Sequence, residues 1–268
     1  DGFKEVYQQF SEGGWVGLCG ESDFGGMGMP KMLGVLVDEM NYSSCNSFTL
    51  YNSLTAGAAL CINAHANDEL KQTYLPNLYS GQWAGAMDMT EPHAGSDLKG
   101  IRTKAEPLDD GSYSITGNKI FITGGDHDLT ENVIHLVLAK LPGSKGISLF
   151  IVPKFNVNAD GSLGESNGVT VGSIEHKMGL KASATCVMNY DNAKGFLVGE
   201  PDRGLVCMFT MMNYERLAIG LQGLGNAQAA YQMASDYAKE RLQGVAAAGS
   251  ATGATSDPII VHGDVRRM

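Results

Sequence analysis

The spacing of the apolar residues changes character twice along this chain, and those two changes limit the fold more than any other feature. Up to about Gly81 apolar residues recur at helical intervals: Phe3, Val6, Tyr7 and Phe10, then Leu33, Leu36, Val37 and Met40, then Leu70, Tyr74, Leu75 and Leu78. Between the first two sets lies a glycine-rich loop, Ser11–Pro30, whose Pro30 suits a first helical position. Phe48 to Ala64 mixes small and apolar residues as a buried core helix does, and Asn67-Asp68-Glu69-Leu70 opens a helix with acidic residues in its first turn.

From Gln82 the pattern turns to short strands. Trp83–Met89, Ile101–Ala105, Tyr113–Thr116, Val133–Ala139, Ile147–Val152, Val169–Ile174 and Thr185–Tyr190 are separated by turn residues, with Asp109-Asp110-Gly111 marking a hairpin and Asn156–Gly168 a longer polar loop. From Pro201 the helical period returns through Leu205, Met208, Phe209, Met212, Leu217, Leu221 and Leu224, and Ala227–Ala238 continues it. Val245–Asp257 is rich in Ala, Gly, Ser and Thr and reads as a mobile connector, after which Ile259–Met268 opens another element. The expectation is an α+β protein: a helical domain over 1–81, an antiparallel β-barrel or sandwich over 82–199, and the start of a helical bundle over 200–268.

Charge and composition narrow the function classes. The formal charge of −10 over 268 residues, with no basic run, disfavours a nucleic-acid surface. No apolar run approaches the ~18 residues of a membrane span. Cys19, Cys45, Cys61, Cys186 and Cys207 are scattered and odd in number, which reads as free buried thiols in a reducing compartment. His65, His127, His135, His176 and His262 show no metal spacing, and His93 reads as a solvated loop residue. The chain opens on Asp1 and stops at Val265-Arg266-Arg267-Met268, inside what reads as a first helical turn, so a fragment cut at both ends is expected.

Two stretches carry chemistry. Met87-Asp88-Met89-Thr90-Glu91-Pro92-His93-Ala94-Gly95-Ser96-Asp97 begins as a strand and ends as a loop of small and polar residues. Pro92 biases Glu91 toward extended backbone, Gly95 lets main chain approach a ligand, and Ser96 adds a hydroxyl and an N–H. Such a strand end suits an anionic group such as a pyrophosphate; an ordinary polar turn is the alternative. Gly117-Asn118-Lys119-Ile120-Phe121-Ile122-Thr123-Gly124 runs from a glycine turn into an apolar strand with a terminal Thr. Taken alone, Thr123 reads as a strand-terminal residue satisfying a turn.

These two stretches, with Glu215-Arg216-Leu217 and Glu240-Arg241-Leu242-Gln243-Gly244, resemble in order and spacing the flavin-dependent acyl-CoA dehydrogenase family, with the bacterial branch that includes 3-methylmercaptopropionyl-CoA dehydrogenases nearest in look. The resemblance implies FAD as cofactor. It places Met87, Asp88, Met89 and Thr90 on the flavin strand, with Thr90 on the N1/O2 side and Gly95 and Ser96 by the pyrophosphate. Phe121, Ile122 and Thr123 would lie against the ring, with the Thr123 hydroxyl at N5. Many members carry Trp where Phe121 stands; Phe keeps a stacking face and lacks the N–H. Arg241 and Gln243 match a stretch that reaches the flavin of a neighbouring subunit, which implies a homodimer or homotetramer; a helix-ending Arg beside a Gly cap is the alternative.

The implied reaction removes the α-proton of an acyl-CoA thioester and passes the β-hydrogen to the flavin, giving a trans-2-enoyl-CoA. Ser96 and Arg216 would contact the substrate. The base is a carboxylate whose pKa burial raises. In most members it lies past where this chain stops, and Glu215 is the in-chain candidate; the alternative is a helix-surface or ion-paired Glu. An electron-transfer flavoprotein is the implied acceptor and the bacterial cytoplasm the implied location, the mitochondrial matrix being the other. The alternative functions are an acyl-CoA oxidase, which would share the reductive half-reaction and pass electrons to oxygen, and a flavin-bearing DNA-associated relative of the fold, which would need a basic surface that the −10 charge argues against.

Overall fold

The structure is a computed structural model that describes residues 2–250 and 253–268. Its N-terminal part is helical: α1 (Phe3–Glu12), α2 (Lys31–Ser44), α3 (Asn46–His65) and α4 (Asp68–Ser80). The α3 helix is buried on nearly every side, as its mixture of small and apolar residues requires. The Asn67 side chain caps α4 by accepting from the Leu70 N–H at 2.9 Å, and Gly81 ends it in the left-handed region. At α2 the expectation fails in one respect. Leu33, Leu36 and Met40 face outward, while Gly34 and Tyr42 are the buried positions, and Pro30 is the cap rather than the first helical residue.

The middle part is two sheets sharing one long strand. They are built from β1 (Trp83–Asp88), β2 (Lys104–Pro107), β3 (Tyr113–Thr123), β4 (Asn132–Ala139), β5 (Ser148–Pro153), β8 (Val169–Ile174) and β9 (Thr185–Val198). The order is β1-β4-β5-β9-β3-β2, with β8 also on β9. The far end of β9 pairs with β5 and its near part with β3 and β8, so the strand passes from one layer to the other. The layers form an open sandwich rather than a closed barrel. One pairing is parallel, β1 with β4. A separate hairpin, β6 (Phe155–Val157) and β7 (Leu163–Ser166), occupies the region expected as a polar loop.

Alternation along β4 and β5 separates two cores. Ile134, Leu136, Leu138, Leu149 and Ile151 pack toward Leu54, Ala58 and Ile62 of α3 and Leu75 and Leu78 of α4. Val133, Val137, Ala139, Phe150 and Val152 pack between the sheets with Ile115, Ile122, Met188 and Tyr190. Because both faces are covered, every residue of β4 is buried.

Helix α5 (Gly204–Glu240) crosses the helical layer beside α2 and α3. Its buried positions are Gly204, Cys207, Met208, Met211, Glu215, Ala218, Gly225 and Ala238. The expected apolar face is only partly inward: Met208 is buried, whereas Phe209, Leu217 and Leu224 are about half exposed. The expected connector Val245–Asp257 includes 251–252, which lie outside the described residues; the rest is tied by Asp257, fully buried, whose carboxylate accepts from the Ala246 N–H and the Ser250 hydroxyl. A short helix, α6 (Gly263–Arg267), follows. Cys61, Cys186 and Cys207 are buried thiols, but Cys19 and Cys45 are exposed, against expectation. No helix among the described residues is long and apolar enough to cross a membrane.

Candidate active site

The two motif stretches meet at the ends of β1 and β3. The Ile120 N–H donates to the Thr90 carbonyl at 2.9 Å, which sets Thr90 one residue from Phe121. Beyond Thr90 the chain folds back, with Glu91 and Ala94 bonded in both directions between their main chains. That reversal brings Gly95 over Thr90: a Cβ on Gly95 would lie 3.2 Å from the Thr90 methyl. Thr90 and Thr123 are both partly exposed and Gly95 and Ser96 are open to solvent. Thr123 lies three residues beyond Ile120, a span of roughly 10 Å in extended backbone.

At Phe121 the ladder between β3 and β9 breaks register, between Lys119 and Ile122. Phe121 sits there at φ 60°, a region a bulky residue seldom adopts, and the residue is 60% exposed. Ile122 turns inward into the inter-sheet core, so only its main chain faces the strand end. Gly124, at φ 64°, lets the chain pass against Tyr51 and Leu54 of α3.

Glu91 and Lys119 were not singled out from the sequence, and they hold this junction together. The Lys119 ammonium, fully buried, donates to Glu91 Oε1 at 2.9 Å and to the Met89 carbonyl at 3.2 Å. Glu91 also accepts from the Arg102 and Thr103 N–H groups and from the Thr103 hydroxyl. Burial pushes the Glu91 carboxyl up, but Lys119 and these donors outweigh it and hold the group below the ordinary carboxylate range. The phase of β3 carried a signal: Ile115 and Lys119 fall on one face, and a Lys on a buried face requires an anion.

Asp88 is fully buried, its carboxylate accepting from the Tyr190 hydroxyl at 2.6 Å and bonded to His135 Nδ1 at 3.1 Å. Its side chain is therefore committed between the sheets, and a ligand can meet only its main chain. Met87 and Met89 are partly buried against the helical core.

Glu215 is buried where α3 and α5 meet, with Tyr42 of α2 close by. One carboxylate oxygen accepts from the Ser53 hydroxyl at 2.9 Å, and the other is buried without a partner. Gly57 makes the room, since a Cβ there would stand 2.7 Å from Glu215 Oε1. Burial pushes the carboxyl up to about 7, while the Ser53 hydroxyl and the charge of Lys31 pull it back. Lys31 is itself bonded to Asp38 and to the Tyr214 hydroxyl. Glu215 thus faces the Ser53–Gly57 side of α3, whereas β1 and Gly124 approach the side bearing Tyr51, Leu54, Thr55 and Ala58.

Arg216 is exposed and bonds Asn213 within its own helix turn. Arg241 and Gln243 are exposed at the far end of α5, where the Arg241 guanidinium bonds the Leu242 carbonyl and reaches Gln243 Oε1 at 3.5 Å. A rise of 1.5 Å per residue puts Arg241 roughly 40 Å along the helix from Glu215. Among the described residues, no group of three or more His, Cys, Asp and Glu could hold a metal ion.

Comparison with known proteins agrees with this layout. Residues 1–82 match the acyl-CoA dehydrogenase N-terminal domain and residues 86–193 the acyl-CoA dehydrogenase middle domain. The chain is 47% identical to 3-methylmercaptopropionyl-CoA dehydrogenase of Ruegeria pomeroyi, with all of this chain and 46% of that protein aligned. Among solved structures, butyryl-CoA dehydrogenase from Megasphaera elsdenii matches with a TM-score of 0.81 at 27% identity, over 98% of this chain and 65% of that one. An acyl-CoA dehydrogenase from Bacillus anthracis, solved with FAD, matches with a TM-score of 0.78 at 29% identity, over 90% of this chain and 39% of that one. The chain spans about half the length of the curated relatives it matches. The two domain matches cover most of the chain in the order of its helical and sheet layers, and the chain belongs to the acyl-CoA dehydrogenase family.

Proposed function

We propose that this chain is the flavin-binding part of an enzyme that dehydrogenates an acyl-CoA thioester to its trans-2-enoyl-CoA, with FAD seated on the ends of β1 and β3. The observation that carries the reading is the Thr90–Ile120 hydrogen bond, which draws the two motif stretches into one site. The residues there fit the group. Phe121 offers an exposed aromatic face, Thr90 and Thr123 offer hydroxyls to a polar ring edge, and Gly95 and Ser96 offer unobstructed main chain to phosphates.

When bound, the flavin supplies the two-electron acceptor for the β-hydrogen. The protein's part is orientation and proton handling. With the flavin bound, the Thr123 and Thr90 hydroxyls would be the donors to its polar ring edge. Gly95 and Ser96 would hold the phosphates, and Ser96 would also contact the acyl-CoA. The α-proton goes to a carboxylate outside residues 1–268. Glu215, against the Ser53–Gly57 side of α3, is a wall of the acyl pocket, with Arg216 near the substrate. Arg241 and Gln243, far along α5 from Glu215, serve the flavin of a second subunit, so the assembled enzyme is at least a dimer. An electron-transfer flavoprotein takes the electrons onward, in the bacterial cytoplasm.

The test is the full-length protein in the spectrophotometer. Purified protein should carry a bound-flavin spectrum that bleaches when acyl-CoA is added without oxygen. A colourless protein that takes up no added FAD would refute the reading. Rapid oxygen consumption on turnover would move it to an acyl-CoA oxidase.

A further inference from the structure

We infer that the buried Lys119–Glu91 pair is a clamp that presets the flavin site, making Lys119 a positioning residue that holds Thr90 and Phe121 in register before any cofactor arrives. The inference takes its ligand from the flavin reading above.

Three observations carry it. First, Lys119 spends its donors on Glu91 and the Met89 carbonyl, the residues on either side of Thr90. The next N–H, of Ile120, bonds Thr90 itself. Second, Glu91 is anchored on its other side by the Arg102 and Thr103 N–H groups and the Thr103 hydroxyl, so the carboxylate bridges the β1 end, β3 and the segment entering β2. Third, the ladder of β3 fails immediately after Lys119, and Phe121 stands at a strained φ. Such a conformation persists only where its surroundings over-determine it. The clamp is what the structure provides at that point, since Phe121 itself is mostly exposed.

Breaking one half of a buried pair strands the other charge, so Lys119→Met alone confounds folding with function. The informative variant is the neutral pair, Glu91→Gln with Lys119→Met, made in the full-length protein. Its packing is retained and its charge-assisted bonds are lost. Thermal stability should fall modestly, because the glutamine NH2 cannot accept and one of the Arg102 and Thr103 N–H groups loses its acceptor. In the folded variant FAD should bind about tenfold or more weakly and the flavin absorption bands shift, because charged hydrogen bonds are the stronger ones. A neutral pair with wild-type FAD affinity and an unshifted spectrum would show the pair to be structural filler and overturn the clamp.

Hydrogen exchange on wild-type protein stripped of flavin needs no variant. The amides of Arg102, Thr103 and Ile120 should exchange as slowly as those of central β4. Exchange at the rate of open loops would mean that no clamp exists before the cofactor binds. This measurement also separates the two ideas: a protein that never binds FAD sinks the functional reading, while these amides still decide the clamp.

Discussion

The Ser53 hydroxyl on α3 bonds one carboxylate oxygen of Glu215 on α5 at 2.9 Å and leaves the other buried and unpartnered. A carboxyl so placed keeps its proton more tightly in the folded protein than in the unfolded chain. Its pKa is raised from 4.5 to about 7, so the folded state binds more protons between those values and stability falls as pH rises through that window. From pH 5 to pH 8 the loss from this one group is about 2–3 kcal/mol. Glu215→Gln should remove that slope. Denaturant titrations of both proteins at the two pH values measure it, and identical pH dependence would mean that Glu215 is ionised throughout.

The same variant addresses the chemistry. As a pocket wall rather than the base, Glu215→Gln should slow anaerobic flavin bleaching by acyl-CoA by no more than about fivefold, since the glutamine amide oxygen still accepts from the Ser53 hydroxyl. A loss of about a thousandfold with substrate still bound would instead make Glu215 the proton acceptor.

Gly57 is glycine because Glu215 occupies its side-chain space. Alanine is the better helix former by about 1 kcal/mol, but its Cβ would stand 2.7 Å from Glu215 Oε1 and 3.1 Å from Met211 Cγ. Overpacking costs about 1–3 kcal/mol and should win in the wild-type background. In a Glu215→Ala background the closest obstacle is gone and only Met211 Cγ, at 3.1 Å, has to give by a few tenths of an ångström, so Gly57→Ala should cost clearly less than it does in wild type. A double-mutant cycle of unfolding free energies reads the coupling, and additive effects would refute the contact.

Much of this was legible in the chain. The small, mixed residues of α3 announced burial on all sides, Asn67 and Gly81 bounded α4, and Asp109-Asp110-Gly111 placed the β2–β3 turn. What escaped was set by tertiary partners. The parallel pairing of β1 with β4 has no local signature, because register belongs to two distant strands. Leu33, Leu36 and Met40 keep helical spacing yet face outward, since periodicity finds a face without saying what covers it. At the site, Thr90 and Phe121 stood out through the motifs, but Lys119 did not. A lysine inside an apolar run reads as surface until its phase along β3 shows that it points inward.

Thr123→Ala removes one hydroxyl from the end of β3 and nothing from the cores, since Thr123 is partly exposed. The full-length variant should fold and retain FAD. Its flavin should reduce about five- to tenfold more slowly, the scale of one hydrogen bond of about 1 kcal/mol. Stopped-flow bleaching reads the rate. An unchanged rate would place the ring edge elsewhere.

Phe121 offers the sharpest separation of stability from binding. Its φ of 60° is one that glycine adopts freely and a bulky residue does not, at about 1–2 kcal/mol. The residue is 60% exposed, so little core packing is lost by removing its side chain. Phe121→Gly should therefore leave the flavin-free protein as stable as wild type, or more stable by about 1 kcal/mol. The same change removes the aromatic face offered to the flavin, so affinity for FAD should fall by about tenfold, in line with an aromatic stacking contribution near 1 kcal/mol and the area lost with it. Calorimetry of the stripped protein and FAD titration test the two halves separately. A variant that is less stable but binds FAD normally would show that Phe121 serves the fold and not the ligand.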